Sequence, residues 1–410
     1  MTGSQEPLRS RGMRDMLPSE AAGFRRVEEA FLRVCRSWGY QEVRTPTIEY
    51  LHLFTAAGTL SPQMLHRVYS FLDWDGWSGE RVVLRPDATI PAARLYSEHF
   101  DARTLARLCY VQNIFRFAQG DEPREDWQCG VELVGDSGLS GDIELILLGL
   151  GVLEAVGLAD VEVRVSHAGI VRGLLAETGL SEEKQSSLYD RLLDGDMEVI
   201  PEIESRLPDL DAPLHIVFDQ PQQGTGQLSS ARTAIVPAVP SLEGAFAQLE
   251  SLVRTLELLG HRAVFQAALA RSFEYYSGPV FRFVAAGKDV GGGGRYDQLL
   301  ALVGGSQVAA SGFALEPMAI AALTGAQAAA GDNGVLVRPA ESSAEGLAAA
   351  FRAASGLRER GISCRVSSEE TASQREVVAR LDNRLIVRIA GGEREVDGVL
   401  QAATLLGQLG

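Results

Sequence analysis

Apolar residues first fall into a helical period between Phe24 and Trp38, where Phe24, Val27, Phe31, Val34 and Trp38 recur on one face. Pro18-Ser19-Glu20 reads as the start of that helix, with Ser19 as N-cap, and Gly39 as its stop. The pattern then changes to β-rich runs. "YQEVRTPTIE" predicts a strand broken at Pro46, and "HRVYSFLDWDGWSGERVVLRPDAT" predicts a hairpin turning at an Asp/Gly/Ser segment. A helix follows from about Pro91 to His99. "LARLCYVQNIFRF" and "WQCGVELVG" predict two more strands, joined by the polar stretch Ala118 to Asp126. Strand pairs joined this way point to an antiparallel sheet.

Residues 140–157 predict an apolar helix ending at Gly157, and "VEVRVSH" a strand. Residues 167–255 read as a mostly helical insertion with one strand at "LHIVFD". The sheet resumes with "RAVFQAAL", "VFRFVAA" and "SGFALE". "TGAQAAAGDNG", residues 324–334, is a linker by composition. Residues 335–410 then alternate as β-α-β-α-β-α, a small α/β domain. The organisation expected is a loose tail over 1–12, a core over 13–323, the linker, and the small domain.

Composition narrows the classes. The 410 residues carry a net charge of −16, whereas nucleic-acid binders usually present a basic face. The four cysteines, Cys35, Cys109, Cys129 and Cys364, form no C-x-x-C pair, which suggests neither a zinc site nor a disulfide framework. No signal-like apolar region opens the chain, and "IELILLGLGVL" is too short to span a bilayer. These features predict a cytoplasmic chain that uses no membrane.

Four stretches place polar residues where a plain strand would carry none. In "LRPDAT", Asp87 and Thr89 are two apart and share a face if they lie on a strand; in a turn they would cap the next helix. In "IFRFAQGDEPREDWQCGVE", Arg116 interrupts an apolar strand, and Gln128 and Glu132 share a face with Gly130 between them. That glycine leaves room for something to lie against the sheet, although an exposed polar face is the plainer reading. "RSFEYY" groups Arg271, Glu274, Tyr275 and Tyr276, either as a site or as an aromatic loop. "DVGGGGRYDQLL" lacks dinucleotide-loop and P-loop spacing and by itself fits a flexible hairpin turn.

Taken in this order, the stretches resemble the class II aminoacyl-tRNA synthetase core, and within it the histidyl-tRNA synthetase group. "RTP" at Arg44 to Pro46 resembles the dimer-forming motif 1, and "FR…WQCGVE" resembles motif 2. "RSFEYYSGPVF" and "GGGGRYD" resemble the two histidine-specific signatures. The resemblance covers residues 8–320 and implies an α+β fold, an antiparallel sheet flanked by helices. By that analogy Asp87, Thr89, Gln128 and Glu132 would meet the ammonium of histidine and the polar surroundings of its imidazole. Arg116 and Arg271 would face its carboxylate, or a phosphate if ATP binds, and Tyr275 and Tyr276 would enclose the ring. No metal or cofactor is implied.

The chain departs from the working synthetases in three places. In "SGFALEPMAIAAL" the glutamate-arginine pair of motif 3 is replaced by Met318 and Ala319, which removes the cation that holds ATP. The motif 2 hairpin "AQGDEPRED" carries one arginine, Arg124, among four acids. The small C-terminal domain resembles a reduced anticodon-binding domain whose basic residues are matched by acids, as in "GGEREVDG". Such a chain resembles the regulatory subunits of ATP phosphoribosyltransferase, as "SHAGIVRGLL" (Ser166 to Leu175) also does. That family implies a protein without chemistry of its own, partnered with a short-form ATP phosphoribosyltransferase catalytic subunit in histidine biosynthesis. It implies L-histidine as effector, a homodimer through motif 1, and no tRNA. Two alternatives remain open: a histidyl-tRNA synthetase with an altered motif 3, or a paralogue that activates histidine for another carrier.

Overall fold

The computed structural model describes residues 8–57, 68–74, 79–118, 120, 122–193, 196, 198–207, 210, 214, 222–267, 269, 275–325, 334–368, 375–389 and 392–407. They form two compact units, Met1–Ala326 and Gln327–Gly410.

The strands of the first unit are β1 (Gln41–Glu42), β2 (Ile48–Tyr50), β3 (Ser70–Trp74), β4 (Gly79–Leu84), β5 (Ala106–Phe115) and β6 (Glu125–Val134). They continue with β7 (Val161–His167), β8 (Gln222–Gln223), β9 (Ala263–Phe265), β10 (Pro279–Ala285), β11 (Lys288–Arg295) and β12 (Ala310–Leu315). Nine of them form one sheet in the order β1-β5-β6-β12-β11-β10-β7-β9-β8. Every pairing from β5 across to β7 is antiparallel. Strands β2, β4 and β3 make a separate small sheet, so the break at Pro46 sends the chain from one sheet to the other. The fold is α+β, an antiparallel sheet flanked by helices, as the pattern predicts.

Strand alternation gives the large sheet two unlike faces. Cys129, Val131 and Leu133 of β6, Phe281 and Phe283 of β10, and Phe313 and Leu315 of β12 share one core with two helices. Those helices are Pro18–Ser37, which buries Phe24, Val27, Phe31 and Cys35, and Leu139–Ala155. Gly149 lets the second helix approach closely, since a Cβ there would lie 2.3 Å from the Phe283 ring. The first helix begins one residue before the expected cap. Pro18 occupies its first turn, Leu17 is the N-cap, and the Glu20 carboxylate accepts from the Leu17 amide at 3.1 Å.

The opposite face carries the polar residues, and there the glycine run departs from the turn that it suggests alone. Gly291 to Gly294 belong to β11, a central strand between β10 and β12. The turn lies just before it, at Ala286 and Gly287, where both φ angles are positive (48° and 74°). The glycines serve close packing. A Cβ on Gly293 would sit 2.0 Å from the Gly312 carbonyl oxygen, and one on Gly292 2.4 Å from that of Phe281. Register aligns Tyr110, Gly130, Ala314, Gly292 and Arg282 across five strands. A small-residue strip thus runs between larger polar walls.

The insertion is helical where described: Ala168–Glu177, Glu182–Leu193, Val199–Glu204, Gly224–Ile235 and Glu243–Leu258. The strand expected at "LHIVFD" falls on residues 215–219, outside the described residues, as does most of the expected linker (326–333).

In the second unit, Val335–Pro339, Cys364–Val366, Glu376–Ala379, Arg384–Ile389 and Gly392–Asp397 form a five-stranded mixed sheet. Helices Ala344–Arg358 and Gly398–Gly407 pack with it around Val337, Ala350, Leu357, Val377 and Val387. The β-α-β-α-β-α reading needs correction here. A strand at Glu376–Ala379 stands where a second helix was expected, and "GEREVD" is a strand. Burial of Val377 and Ala379 but not Glu376 and Val378 is a two-residue period, which four residues are too few to display in sequence. Among the described residues no helix is long and apolar enough to cross a membrane.

Replacing Gly293 by Ala should therefore be costly, because backbone rather than a movable side chain blocks the new methyl. The urea midpoint of unfolding is expected to fall by the equivalent of about 1–3 kcal/mol, with the slope unchanged.

Candidate functional site

A cavity of about 170 Å³ opens over the small-residue strip. Asp87, Thr89, Arg116, Gln128, Tyr275 and Tyr276 all line it. Glu132 is buried among them, bonded to a tyrosine that also lines the cavity. Arg271 and Glu274 lie outside the described residues.

Asp87 and Thr89 sit at the loop-to-helix junction after β4, not on a strand. Asp87 Oδ1 accepts from the Ile90 amide at 3.1 Å, which caps the helix Thr89–His99. The capping and the site readings of this pair therefore coincide. Arg116 Nε donates to the Pro86 carbonyl at 2.9 Å, holding the guanidinium near Asp87. Burial raises the Asp87 pKa, and the charge of Arg116 partly opposes that. Gln128 Oε1 accepts from the Ala88 amide at 3.2 Å, which fixes the orientation of its side chain.

Glu132 is the most constrained residue of the set. It is 2% exposed. Tyr110 Oη donates to its Oε1 at 2.9 Å, and Tyr296 Oη donates to its Oε2. Thr89 Oγ1 lies 3.4 Å from Tyr110 Oη. Burial pushes the Glu132 carboxyl up to about 8; the two tyrosine hydroxyls oppose this, and the charge of Asp87 adds to it. Gly312 is required beside it, since a Cβ there would lie 2.1 Å from Oε2.

Gly130 does leave room against the sheet, but this chain fills it. A Cβ on Gly130 would lie 2.1 Å from the Tyr110 ring. The glycine thus makes space for the tyrosine that holds Glu132. Tyr275 and Tyr276 have ring centroids 5.0 Å apart, and Tyr275 meets Tyr296 edge-on at 5.5 Å.

Sequence reasoning missed Tyr110 and Tyr296. Tyr296 directly follows the glycines and Arg295 in "GGGGRYD", so the signal was present. Tyr110 stands in an apolar strand and had none. Arg282 and Asp289 were also missed; they line the cavity as an ion pair, and Arg282 Nε donates to the Leu269 carbonyl at 2.8 Å. Arg295 is structural: buried, it bridges to Asp142 at 2.9 Å and ties β11 to the helix Leu139–Ala155.

The motif 3 region borders the site. Glu316 lines both this cavity and a second one of about 700 Å³, which Met318, Ala319 and Trp127 also line. The helix Pro317–Leu323 carries no basic residue. The hairpin arginine, Arg124, is turned onto its own chain: Nε donates to the Ala118 carbonyl at 2.9 Å, and the guanidinium lies 4.4 Å from the Phe117 ring centre. Among the described residues, no group of three or more His, Cys, Asp or Glu could hold a metal.

Sheet and site together define a class II synthetase-like core. The histidyl-tRNA synthetase family model matches residues 12–320. The ATP phosphoribosyltransferase regulatory subunit of Dehalococcoides mccartyi is 45% identical over 308 residues, 75% of each chain. The histidine–tRNA ligase of Archaeoglobus fulgidus is 35% identical over 364 residues, 86% of this chain and 84% of that one. A crystal structure from Bacillus halodurans, described as an ATP phosphoribosyltransferase regulatory subunit/histidyl-tRNA synthetase, superposes with a TM-score of 0.75. It is 26% identical and covers 92% of this chain and 99% of its own. The chain belongs to the histidyl-tRNA synthetase family, in its branch of ATP phosphoribosyltransferase regulatory subunits.

The raised carboxyl of Glu132 makes a stability prediction. Its folded pKa, about 8, lies above the ordinary value of 4.5, so the folded chain binds the extra proton between them. Unfolding free energy contributed by this group is therefore lost as pH rises through that window, by at most about 1.4 kcal/mol per pH unit. Glu132→Gln should flatten the decline relative to the parent in denaturant titrations at pH 5, 6, 7 and 8. Parallel curves would contradict the burial argument.

Proposed function

We propose that this chain binds L-histidine in the Asp87–Glu132 cavity and serves as the non-catalytic regulatory subunit of ATP phosphoribosyltransferase. Its partner on this reading is a short-form catalytic subunit, which it makes active and through which histidine feeds back on histidine biosynthesis. The observation that carries the reading is a complete polar pocket beside an incomplete nucleotide site. Asp87, Gln128 and Glu132 offer acceptors to an ammonium and an imidazole N–H, and Tyr275 and Tyr276 stack beside them. Arg116 is placed to meet the carboxylate. Charge-assisted hydrogen bonds of this kind contribute about 1.5–3 kcal/mol each, so a few suffice for micromolar affinity.

Catalysis would need more. Adenylate formation builds negative charge on a phosphate, and loss of one fixed donor typically costs about 10²–10³ in rate. Here Ala319 and Met318 replace the charged pair of motif 3, and Glu316 adds a carboxylate at the cavity edge. Arg124 is engaged by Ala118, Tyr69 and Phe117. The site therefore favours holding histidine over activating it.

The alternative, a histidine-activating synthetase, draws on the Archaeoglobus fulgidus ligase relative. Histidine-dependent ATP–pyrophosphate exchange separates the two, and none is expected. The decisive assay mixes the purified chain with the short-form catalytic subunit of the same organism. Phosphoribosyl-ATP formation should rise on mixing and fall when histidine is added; no co-assembly and no effect would reject the proposal. Tyr276→Ala or Asp87→Asn should weaken histidine binding at least about tenfold in calorimetry, the loss of one charged or stacking contact. Unchanged affinity in both would place the effector elsewhere.

A further inference from the structure

Two carboxylates face one another in the histidine cavity. Asp87 is 3% exposed and Glu132 2%, and each feels the charge of the other. Several elements pack against the pair. β5 supplies Tyr110 and, just past its end, Arg116. The helix start supplies Thr89, and the segment before β10 supplies Tyr275 and Tyr276. The turn after β11 supplies Tyr296, and β12 presents Gly312. Among these described groups Arg116 is the one cation. Arg282, on the same cavity wall, is bridged to Asp289.

The charge count has a consequence. Tyrosine hydroxyls can satisfy a carboxylate's lone pairs, but they do not cancel its charge. Two buried anions beside one guanidinium leave a negative charge without a counter-ion. Such a group ordinarily takes up a proton rather than remain ionised. Burial raises both carboxyls, Glu132 to about 8. The empty cavity near neutral pH thus holds a proton that its geometry has no other reason to keep.

The α-ammonium of histidine is the missing counter-ion. We propose that histidine, bound as described above, expels a proton from the Asp87–Glu132 pair to solvent, so that the effector binds more tightly as the medium becomes more alkaline. In the step, one carboxyl O–H bond breaks, its electron pair stays on the carboxylate oxygen, and the proton passes to buffer. The ligand's ammonium then supplies the balancing charge. The sign follows from linkage: the empty site holds more protons than the occupied one, so raising the pH favours occupancy. Below about pH 8 the apparent Kd should fall by up to about tenfold per pH unit, the limit for one proton released. Feedback would accordingly weaken on acidification, with no separate sensor.

The test is calorimetric titration of the full chain with L-histidine near pH 7.5, where the free imidazole, with a pKa of about 6.5, is mostly neutral. Two buffers of unlike ionisation enthalpy give the number of protons exchanged. Net release approaching one proton per histidine is expected, and Glu132→Gln should reduce it sharply. Measurable binding with no net exchange would overturn the proposal while leaving the histidine site intact. That result would include transfer of the proton to the imidazole instead of to solvent. Release unchanged in Glu132→Gln would overturn the assignment to this pair. If the variant does not fold, the proton count of the parent chain still decides. No binding heat in either buffer, with no protection against thermal unfolding by millimolar histidine, would reject the site itself.

Discussion

A carboxylate inside a sheet constrains everything around it. Glu132 sits on the polar face of β6 with tyrosine hydroxyls on both oxygens. To bring Tyr110 that close, the residue opposite it in register must be Gly130. To leave room for Oε2, the neighbour on β12 must be Gly312. Narrow neighbours on β12 then allow β11 to approach, which is why that strand is built from glycines. The cavity is therefore no gap left by loose packing. It is what remains when bulky residues are excluded so that one buried acid can be satisfied, and buried polar groups left unsatisfied cost more than the hydrogen bonds they lose.

The same face explains how a ligand pocket can outlast a catalytic apparatus. The pocket is held by strand register and by the cap of the helix Thr89–His99, both of which the fold needs in any case. Asp87 caps that helix, and Gln128 bonds the Ala88 amide, so these residues contribute to folding as well as lining the cavity. The nucleotide side has no such double role. The helix Pro317–Leu323 packs through Pro317 and Ile320, and the positions of Met318 and Ala319 face a cavity. A cation there can be lost without unsettling the core. Arg124 shows a related outcome: with its partners Ala118, Tyr69 and Phe117 it shapes the hairpin and is drawn away from any phosphate.

How much of this was legible in the sequence depends on the length over which each signal runs. The helix through Phe24, Val27 and Phe31 and the paired strands β5 and β6 carry ten residues or more of consistent period, and their existence could be read directly. The strand Glu376–Ala379 has four residues and was taken for helix. The glycine run misled for a different reason. Glycine within a strand usually signals a turn or bulge, and only the neighbours that crowd it, Gly312 and Phe281, reveal that a strand needs it there. Asp87, Gln128 and Glu132 were found through polar residues that broke an apolar pattern. Tyr110 broke no pattern, because tyrosine is an ordinary strand residue.

The net charge of −16 takes its meaning from this arrangement. A strongly acidic chain repels polyanions at long range, but a cavity of a few side chains feels mainly its nearest neighbours. Arg116 near Asp87 can therefore receive a small carboxylate inside an acidic protein, since at that distance the local cation outweighs screened surface charge. A triphosphate is less well placed. It would have to lie past Glu316, beside a helix without a basic residue, with the bulk charge of the chain opposing its approach. Local and global electrostatics thus agree on a small zwitterion and disagree with a nucleotide. That asymmetry separates binding histidine from activating it.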